Sequence, residues 1–561
     1  MNRPSDERSP GTDTWWGMLR SAVKRSVWER PAFSGSWVIE GRPGRPLDSR
    51  ENRFVRTELI SMHGGERRLY HIAPSEYYMD RKRIEAVTRT ISEMAEHPPP
   101  PGLMDDQEGL QSYMERSCSR LISRTCDLDP EEDVPLLARL CAQYSSGFGV
   151  LEHLLRDERV QDIYIDPPPG ITPVYVSLGG MGDPELEGTY PTNIILSVKE
   201  LERIVSLLRY SSGRPFSEST PVLECDMPLH KARATVVSPP MSQNGLSMAL
   251  RKHSHDPWTL LRLVSVRALS PCMAGFLGLC IEGRSTMLIA GSRGAGKSSL
   301  LGGLLFEVDR AQRIIVIEDT PELPVNQLLE HGYKVLGLTV GQGKASTPES
   351  ALRTALRLGE SVLVMGEVRG PETRVLYEAM SAGTAGSSVM GTFHADSAKA
   401  VYKRVVDDMG VPPGSFSATD LVIVSGLVRP KGRKARLRRV MQVSELVKKG
   451  RPGRFRDLFS YDPGKDLAEP TDTLPTSQVL KRTGRMWGMS QEEMLSELSL
   501  RTRIFEEALS FLGGEAVKPG SAVRTSEAFR EARENAARGG WLDDHGRTIS
   551  EWRSRMEGDD R

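Results

Sequence analysis

The octapeptide Gly291-Ser292-Arg293-Gly294-Ala295-Gly296-Lys297-Ser298 constrains the fold of this chain more than any other segment. It satisfies the pattern GxxxxGK[ST], in which glycines let the backbone wrap around phosphate oxygens and turn successive N–H groups inward. The helix that follows presents its positive N-terminal end to the same anion. STMLIA before the loop (285–290) reads as an apolar strand and SSLLGGLLFEV after it (298–308) as an apolar helix. That is the strand, loop and helix setting the pattern requires; the structural alternative is a glycine-rich turn without nucleotide. The stretch from Gly291 to Ser299 would line a phosphate site, Lys297 would reach the β and γ phosphates, and the Ser298 hydroxyl would ligate magnesium. ATP and Mg2+ are the expected cofactors.

The loop lies within an alternating pattern. From 285 to 446, short apolar runs (STMLIA, RIIVIED, SVLVMGEV, SSVMGTFHA, DLVIVSGLV) are spaced by helical segments, which implies a parallel sheet covered by helices on both faces. Upstream, GVLEHLLRDERVQDIYID (149–166) passes from helical spacing to a β-branched end, and VKELERIVSLLRYSSG (198–213) reads as an amphipathic helix stopped by Gly213. ARATVVSPP (232–240) and LSMALRK (246–252) read as strands. VRPKGRKARLRRVMQVSEL (428–446) reads as a hairpin with a positively charged turn. A helix is expected over 490–512, with Ser490 as N-cap, Met494, Leu498, Phe505, Leu509 and Leu512 on one face, and Gly513 at its end.

At 561 residues the chain exceeds what one hydrophobic core organises, and two or three domains are expected. Residues 1–50, rich in Arg, Ser, Gly and Pro with scattered tryptophans, read as loosely ordered, and 51–148 as a mostly helical extension broken by a proline-rich linker at 96–109. A smaller α/β domain follows at 149–260, the P-loop domain at 265–450, and a C-terminal extension at 451–561 whose last forty residues are charged and read as frayed. Lys plus Arg and Asp plus Glu both number 74, so no charge excess argues for nucleic acid or an anionic membrane. The polar start lacks a signal-peptide layout and no long apolar run occurs, so a cytoplasmic location is expected. Six cysteines without a CxxC read as reduced thiols, with zinc at Cys118, Cys126 and Cys141 as the alternative.

Cleaving a phosphoanhydride needs a carboxylate to polarise water and another acidic group to help hold magnesium, both at strand ends beside the P-loop. RIIVIEDTPEL offers Glu318, Asp319 and Glu322, and SVLVMGEVRG offers Glu367. The second resembles a Walker B strand in which Gly366 stands at the usual Asp position. Glu367 is assigned to the magnesium and water shell beside Ser298, and Glu318 is the preferred general base; the reverse assignment stays open. Asp319 and Glu322 are read equally well as capping or surface ion-pair residues. SSVMGTFHADS places Thr392 and His394 on one strand face, with His394 as the candidate phosphate sensor.

Across 150–446 the chain resembles the type II/type IV secretion (pilus assembly) ATPases, most closely the archaeal branch and the tight-adherence pilus motors. The resemblance rests on GVLEHLLRDERVQDIYID, SGRPFSESTPVLE, ARATVVSPP, LRKHSHDPWT, the P-loop, IEDTPEL, ALRTALRLGESVLVMGEVRGPET, GTFHADS and GVPPGSFSATDLVIV, in that order. It implies a RecA-like ATPase domain preceded by a smaller α/β N-terminal domain, a homo-hexameric ring, and basic side chains arriving from the neighbouring N-terminal domain. Arg233 and Arg251 occupy matching positions. It also implies a polytopic membrane platform protein as partner, pilin or secreted protein as indirect cargo, and a place on the cytoplasmic face of the membrane. Where many members carry GHAG, this chain has Gly383-Thr384-Ala385-Gly386. Two other readings stand beside this one: a nucleic-acid translocating motor, drawing on the basic run 429–439, and a non-hydrolysing assembly scaffold, drawing on Gly366 and Thr384.

Overall fold

The computed structural model describes residues 28–29, 31–39, 44–62, 67–97, 99–103, 107–126, 128–179, 184–252, 257–340, 347–381, 388–432, 436–448, 453–512, 518–537 and 545–557. The chain divides into two compact units, Met1–His255 and Asp256–Arg561.

In the first unit, Gly44–Glu51, Val55–Met62 and Arg68–Pro74 form an antiparallel meander ahead of three helices, Arg81–Glu96, Gln107–Thr125 and Asp133–Ser145. Strand therefore replaces part of the segment expected to be mostly helical. The reason is that Thr57 and Glu58 are buried polar residues, which blur the apolar alternation of the middle strand. Arg159, also buried, reaches the Thr57 hydroxyl and the Asp48 and Asp157 carboxylates, so the meander is fastened to the rest of the unit. Residues expected to be loosely ordered are drawn in too: Ser36–Ile39 pairs antiparallel with Ile194–Leu196. Buried Asn193 accepts from Ile72 N at 2.8 Å and donates to the carbonyls of Ile39 at 3.0 Å and Ile72 at 2.8 Å.

The remaining core of this unit is a six-stranded sheet, in the order Val222–Met227, Ala232–Val237, Ser247–Lys252, Val160–Ile165, Tyr175–Leu178, Gly188–Pro191. The helix Val198–Ser212 opens on Ser197, whose side chain accepts from Glu200 N, and closes on Gly213 at φ 61°, a left-handed position that favours glycine. Cys118 and Cys141 are buried in the core of the three-helix group.

The second unit is built on one sheet of nine strands: β1 (Met287–Gly291), β2 (Arg313–Glu318), β3 (Lys334–Thr339), β4 (Val362–Met365), β5 (Ser388–Phe393), β6 (Leu421–Val428), β7 (Leu437–Leu446), β8 (Phe455–Asp462) and β9 (Leu467–Pro470). Their order is β3-β2-β4-β5-β1-β6-β7-β8-β9. Strands β3 to β6 pair in parallel and β6 to β9 antiparallel, the β6–β7 hairpin falling where the basic run predicts it. Successive residues of β1 and β2 bury into opposite layers: Met287, Ile289, Ile314 and Val316 on one face, Leu288, Ala290, Ile315 and Ile317 on the other. Both faces being covered is why these strands read as continuous apolar runs. This is the α/β, RecA-like arrangement of a parallel sheet between helical layers.

Helix α1 (Pro271–Glu282) precedes β1 and α2 (Lys297–Leu305) follows the P-loop, while α3 (Glu372–Ser381) packs on the other layer. After the sheet come α4 (Gln478–Trp487), α5 (Gln491–Phe511), α6 (Pro519–Ala537) and α7 (His545–Glu557). The Ser490 cap of α5 is a full capping box: Glu493 N donates to Ser490 Oγ at 3.2 Å and Ser490 N to Glu493 Oε2 at 2.6 Å. Gly513 lies outside the described residues.

In the charged tail, the described residues lie in the helices α6 and α7 and are not frayed. Ile549, Trp552 and Met556 recur at helical spacing in α7 and are buried, Trp552 to 1% exposure. Arg530 and Arg533 of α6 join Arg501 of α5 around Glu282 of α1, and although burial opposes it, they hold that carboxyl below its ordinary value. A chain-length charge count cannot show that such residues neutralise each other indoors.

Glu307, just past α2, is buried beside Ser526 and Arg530 of α6. Burial pushes its carboxyl up to about 7, against the lowering effects of Ser526, Arg530 and Arg501. An unfolded glutamate titrates near about 4.3, so the native state holds an extra proton between those values. Its contribution is present at low pH and is lost as pH rises through the folded value. Glu307→Gln should therefore gain thermal stability relative to the parent as pH is raised from about 5 to about 8. Scanning calorimetry at several pH values reads this directly, and a Tm difference that stays constant across the range would contradict it.

Candidate nucleotide site

Strand β1 delivers Gly291 at its C-terminal end and α2 begins at Lys297, so the loop between them turns at the carboxyl edge of the parallel sheet. Gly294 at φ 77° and Gly296 at φ 89° hold left-handed conformations that a side chain would strain. Lys297 is buried at the loop base, its Nζ donating to the Ser292 carbonyl at 3.0 Å. Burial lowers its pKa, and Glu367 and Glu322 work the other way. Ser298 Oγ donates to Glu322 Oε2 at 2.7 Å. From β7, Arg438 Nε donates to the Gly294 carbonyl at 3.0 Å, and its stem lies 3.4 Å from where a Cβ on Gly296 would be.

The acidic residues arrive from β2 and β4, which are neighbours in the sheet. Glu318 closes β2 at 7% exposure, and its Oε1 accepts from Glu322 N and Leu323 N, each at 3.0 Å. Burial pushes it up to about 7, the two amides lowering and Glu322 and Asp319 raising it. A Cβ on Gly366 would stand 2.8 Å from Glu318 Cγ, so the glycine leaves the space that the Glu318 side chain fills. Glu367 is held on both oxygens: Oε1 by His394 Nε2 at 3.0 Å and Oε2 by Arg369 Nη1 at 3.2 Å. Arg369 reaches with its other arm to Asp319 Oδ2 at 2.8 Å, tying the two acidic strand ends together.

His394 follows the last residue of β5. Burial, Lys297, Arg404 and Arg293 hold it below the ordinary histidine value despite Glu367, which favours a neutral ring at neutral pH. The Thr392 hydroxyl is engaged by its own protein, donating to the Gly366 carbonyl. One sheet edge thus gathers a glycine loop, a lysine, a serine hydroxyl, two glutamates and a histidine.

Residues 223–455 match the family described as type II/IV secretion system protein. An uncharacterized protein of Methanocaldococcus jannaschii is 30% identical over 247 residues, covering 43% of this chain and 87% of the relative. The chain belongs to the type II/IV secretion system protein family. Another uncharacterized protein of the same organism is 27% identical over 377 residues, covering 65% of this chain, and the chain spans 64% of that relative's length. Type IV secretion system protein VirB11 of Bartonella henselae is 27% identical over 244 residues, covering 37% of this chain and 67% of its own.

Within this family member, the structure brings Gly291 to Ser298, Glu318, Glu322, Glu367 and His394 together in one unit. Arg233 and Arg251 belong to the other unit, where they are cross-strand partners in a row running Asp226, Arg233, Arg251, Asp162. Arg233 pairs with Glu224 at 3.0 Å. The Gly383 to Gly386 segment with Thr384 lies outside the described residues. Arg438 and Arg369 were not among the expected site residues. Arg438 is hidden inside a basic run that reads as a turn, and only the return of β7 beside β6 carries it to the loop. Arg369 had a signal, since it follows Glu367 by two residues, but its link to Asp319 crosses between strands.

Gly366→Asp, which restores the usual acidic residue, should not be benign. The new side chain must displace Glu318 from the amides of Glu322 and Leu323. The expected result is a lower thermal midpoint and loss of the raised Glu318 titration, measured by calorimetry and by carbon-detected NMR of labelled glutamate. An unchanged midpoint and titration would show that the pocket accommodates both.

Proposed function

We propose that this chain is the ATP-hydrolysing motor of a type II or type IV secretion or pilus-assembly machine. The observation that carries the reading is the convergence of Lys297, Ser298, Glu318, Glu367 and His394 on the glycine loop, at the carboxyl ends of neighbouring parallel strands, in a member of this family. The residues fit Mg-ATP: a cradle with two left-handed glycines for phosphate, and hard oxygen donors at Ser298 and Glu367, with Glu322 in contact with Ser298. Ser298 and Glu367 would hold magnesium, Glu367 in part through water, and the ion would screen the charge gathering on the phosphates.

In this reading the loop amides bind the phosphate oxygens and Lys297 leaves the Ser292 carbonyl to meet the β and γ phosphates. Glu318 takes the proton of the attacking water, a task suited to a carboxyl titrating near 7 and aimed by two amide hydrogen bonds. His394 and Arg369 fix the Glu367 carboxylate, so it cannot wander when charge shifts. Arg438 adds a positive charge at the loop from within the same unit. Arg233 and Arg251 are the proposed phosphate contacts from a neighbouring copy in a six-membered ring.

Family membership also supports a polytopic membrane platform as the partner and pilin or secreted protein as the indirect cargo. No helix among the described residues is long and apolar enough to cross a membrane, which fits work on the cytoplasmic face through such a partner. Against a nucleic-acid motor, Arg438 and Arg439 of the basic run bind their own protein, Arg439 pairing with Asp466 at 2.8 Å.

Phosphate release from purified protein should vanish in Lys297→Ala and fall at least about a hundredfold in Glu318→Gln, the scale of losing a general base. Because protonated Glu318 cannot accept a proton, turnover should rise with pH through about 7 and then level off. Release that is independent of Lys297 would defeat the enzyme reading. A profile flat across that range would remove Glu318 as the base and leave Glu367.

A further inference from the structure

Helix α2 carries the phosphate loop at one end and stops against the C-terminal extension at the other. Its nine residues span roughly 13 Å at 1.5 Å each, and it is wedged along its length. A Cβ on Gly302 would meet Pro324 at 3.1 Å and one on Gly303 would meet Leu263 at 3.3 Å, so neighbouring backbone and side chains close on both glycines. A short helix held this tightly moves as a unit.

At the far end, three contacts on one face of α6 seize the residues just past α2. Ser526 Oγ bonds the Glu307 carboxylate, Arg530 Nη2 donates to the Glu307 carbonyl at 2.8 Å, and Glu527 pairs with Arg310. Gly278 of α1 also faces the Glu307 carboxyl: a Cβ there would lie 3.4 Å from Oε2, in ordinary contact. The Phe306 carbonyl is held as well, by Tyr333 Oη at 2.6 Å. Residues 526–530 lie beyond the stretch that matches the family, 223–455.

We infer that α6 is a positioning element for the phosphate-binding helix: Ser526 and Arg530, acting through Glu307, make the docking of the C-terminal extension and the binding of nucleotide one coupled equilibrium. This rests on the nucleotide-binding reading above. The physical reason is mechanical. A phosphate that tightens the loop shifts or stiffens α2, and because Glu307 is clamped on both its side chain and its backbone, α6 must follow or the clamp must break. Coupling of this kind is reciprocal: whatever loosens α6 weakens nucleotide, and nucleotide steadies α6. The extension thereby offers a handle by which a partner bound to the C-terminal helices adjusts nucleotide affinity without touching the loop.

Hydrogen exchange on the full chain, with and without saturating Mg-ADP, tests this. ADP should protect residues 291–298 and also slow exchange across 519–537 by about fivefold or more, the lower end of ordinary coupling. Ser526→Ala and Arg530→Ala should keep the protection at 291–298, lose the ADP response at 519–537, and bind a fluorescent ADP analogue about fivefold or more weakly. Loss of packing alone would lower Tm without removing the ADP response. Protection at 291–298 with exchange at 519–537 unchanged in the parent protein overturns the coupling while sparing nucleotide binding. No protection at 291–298, with no ADP bound, overturns both.

Discussion

The site depends on one pairing arrangement: β1 runs parallel between β5 and β6, fully buried. Parallel strands end together, so the glycine loop after β1 and His394 after β5 emerge at the same edge, with Glu367 delivered by β4 one strand beyond β5 and Glu318 by β2 two strands beyond it. No single residue at that edge would have chemical meaning without the register. The apolar residues of β1, alternating between the two core layers, are what fix it, because a slip by one position would exchange the layers.

Gly366 acquires a reason in this setting. Read along the sequence it is a missing Walker B aspartate, and it invites doubt about hydrolysis. In the folded chain it is the cavity wall that admits Glu318, whose carboxyl is thereby buried, bonded to two amides and pushed up to about 7. The buried carboxyl stands on the neighbouring strand, in the space that the glycine leaves. Arg369 bridges Asp319 and Glu367, so the ends of the two strands are tied through one guanidinium.

The extensions follow a different logic from the central sheet. Each is fastened to its own unit by charges paired at least partly out of solvent: in the first, Asp48 of the meander with Arg159, which also holds Asp157; in the second, Arg501, Arg530 and Arg533 of the helices after 470 with Glu282. Removing one partner of such a set leaves an uncompensated charge indoors, which is far more costly than losing an exposed pair. That is why segments polar enough to look loosely ordered are integral parts of the two units.

Local chemistry alone determined the P-loop, the Gly213 stop, the Ser490 capping box and the alternating strands and helices from 285 to 446, because glycine conformation, capping and apolar periodicity act within a few residues. It also identified Glu318, Glu367 and His394 as candidates, since strand-end acids and histidines beside a P-loop are few. What only the tertiary structure decided is which distant groups meet: Arg438 on the Gly294 carbonyl, Glu318 over Gly366, α6 on Glu307. Those contacts join residues 144, 48 and 219 positions apart, and their partners are selected by sheet order and helix docking. A side chain's sequence neighbours set its conformation, but its charge is answered by whatever the fold brings beside it.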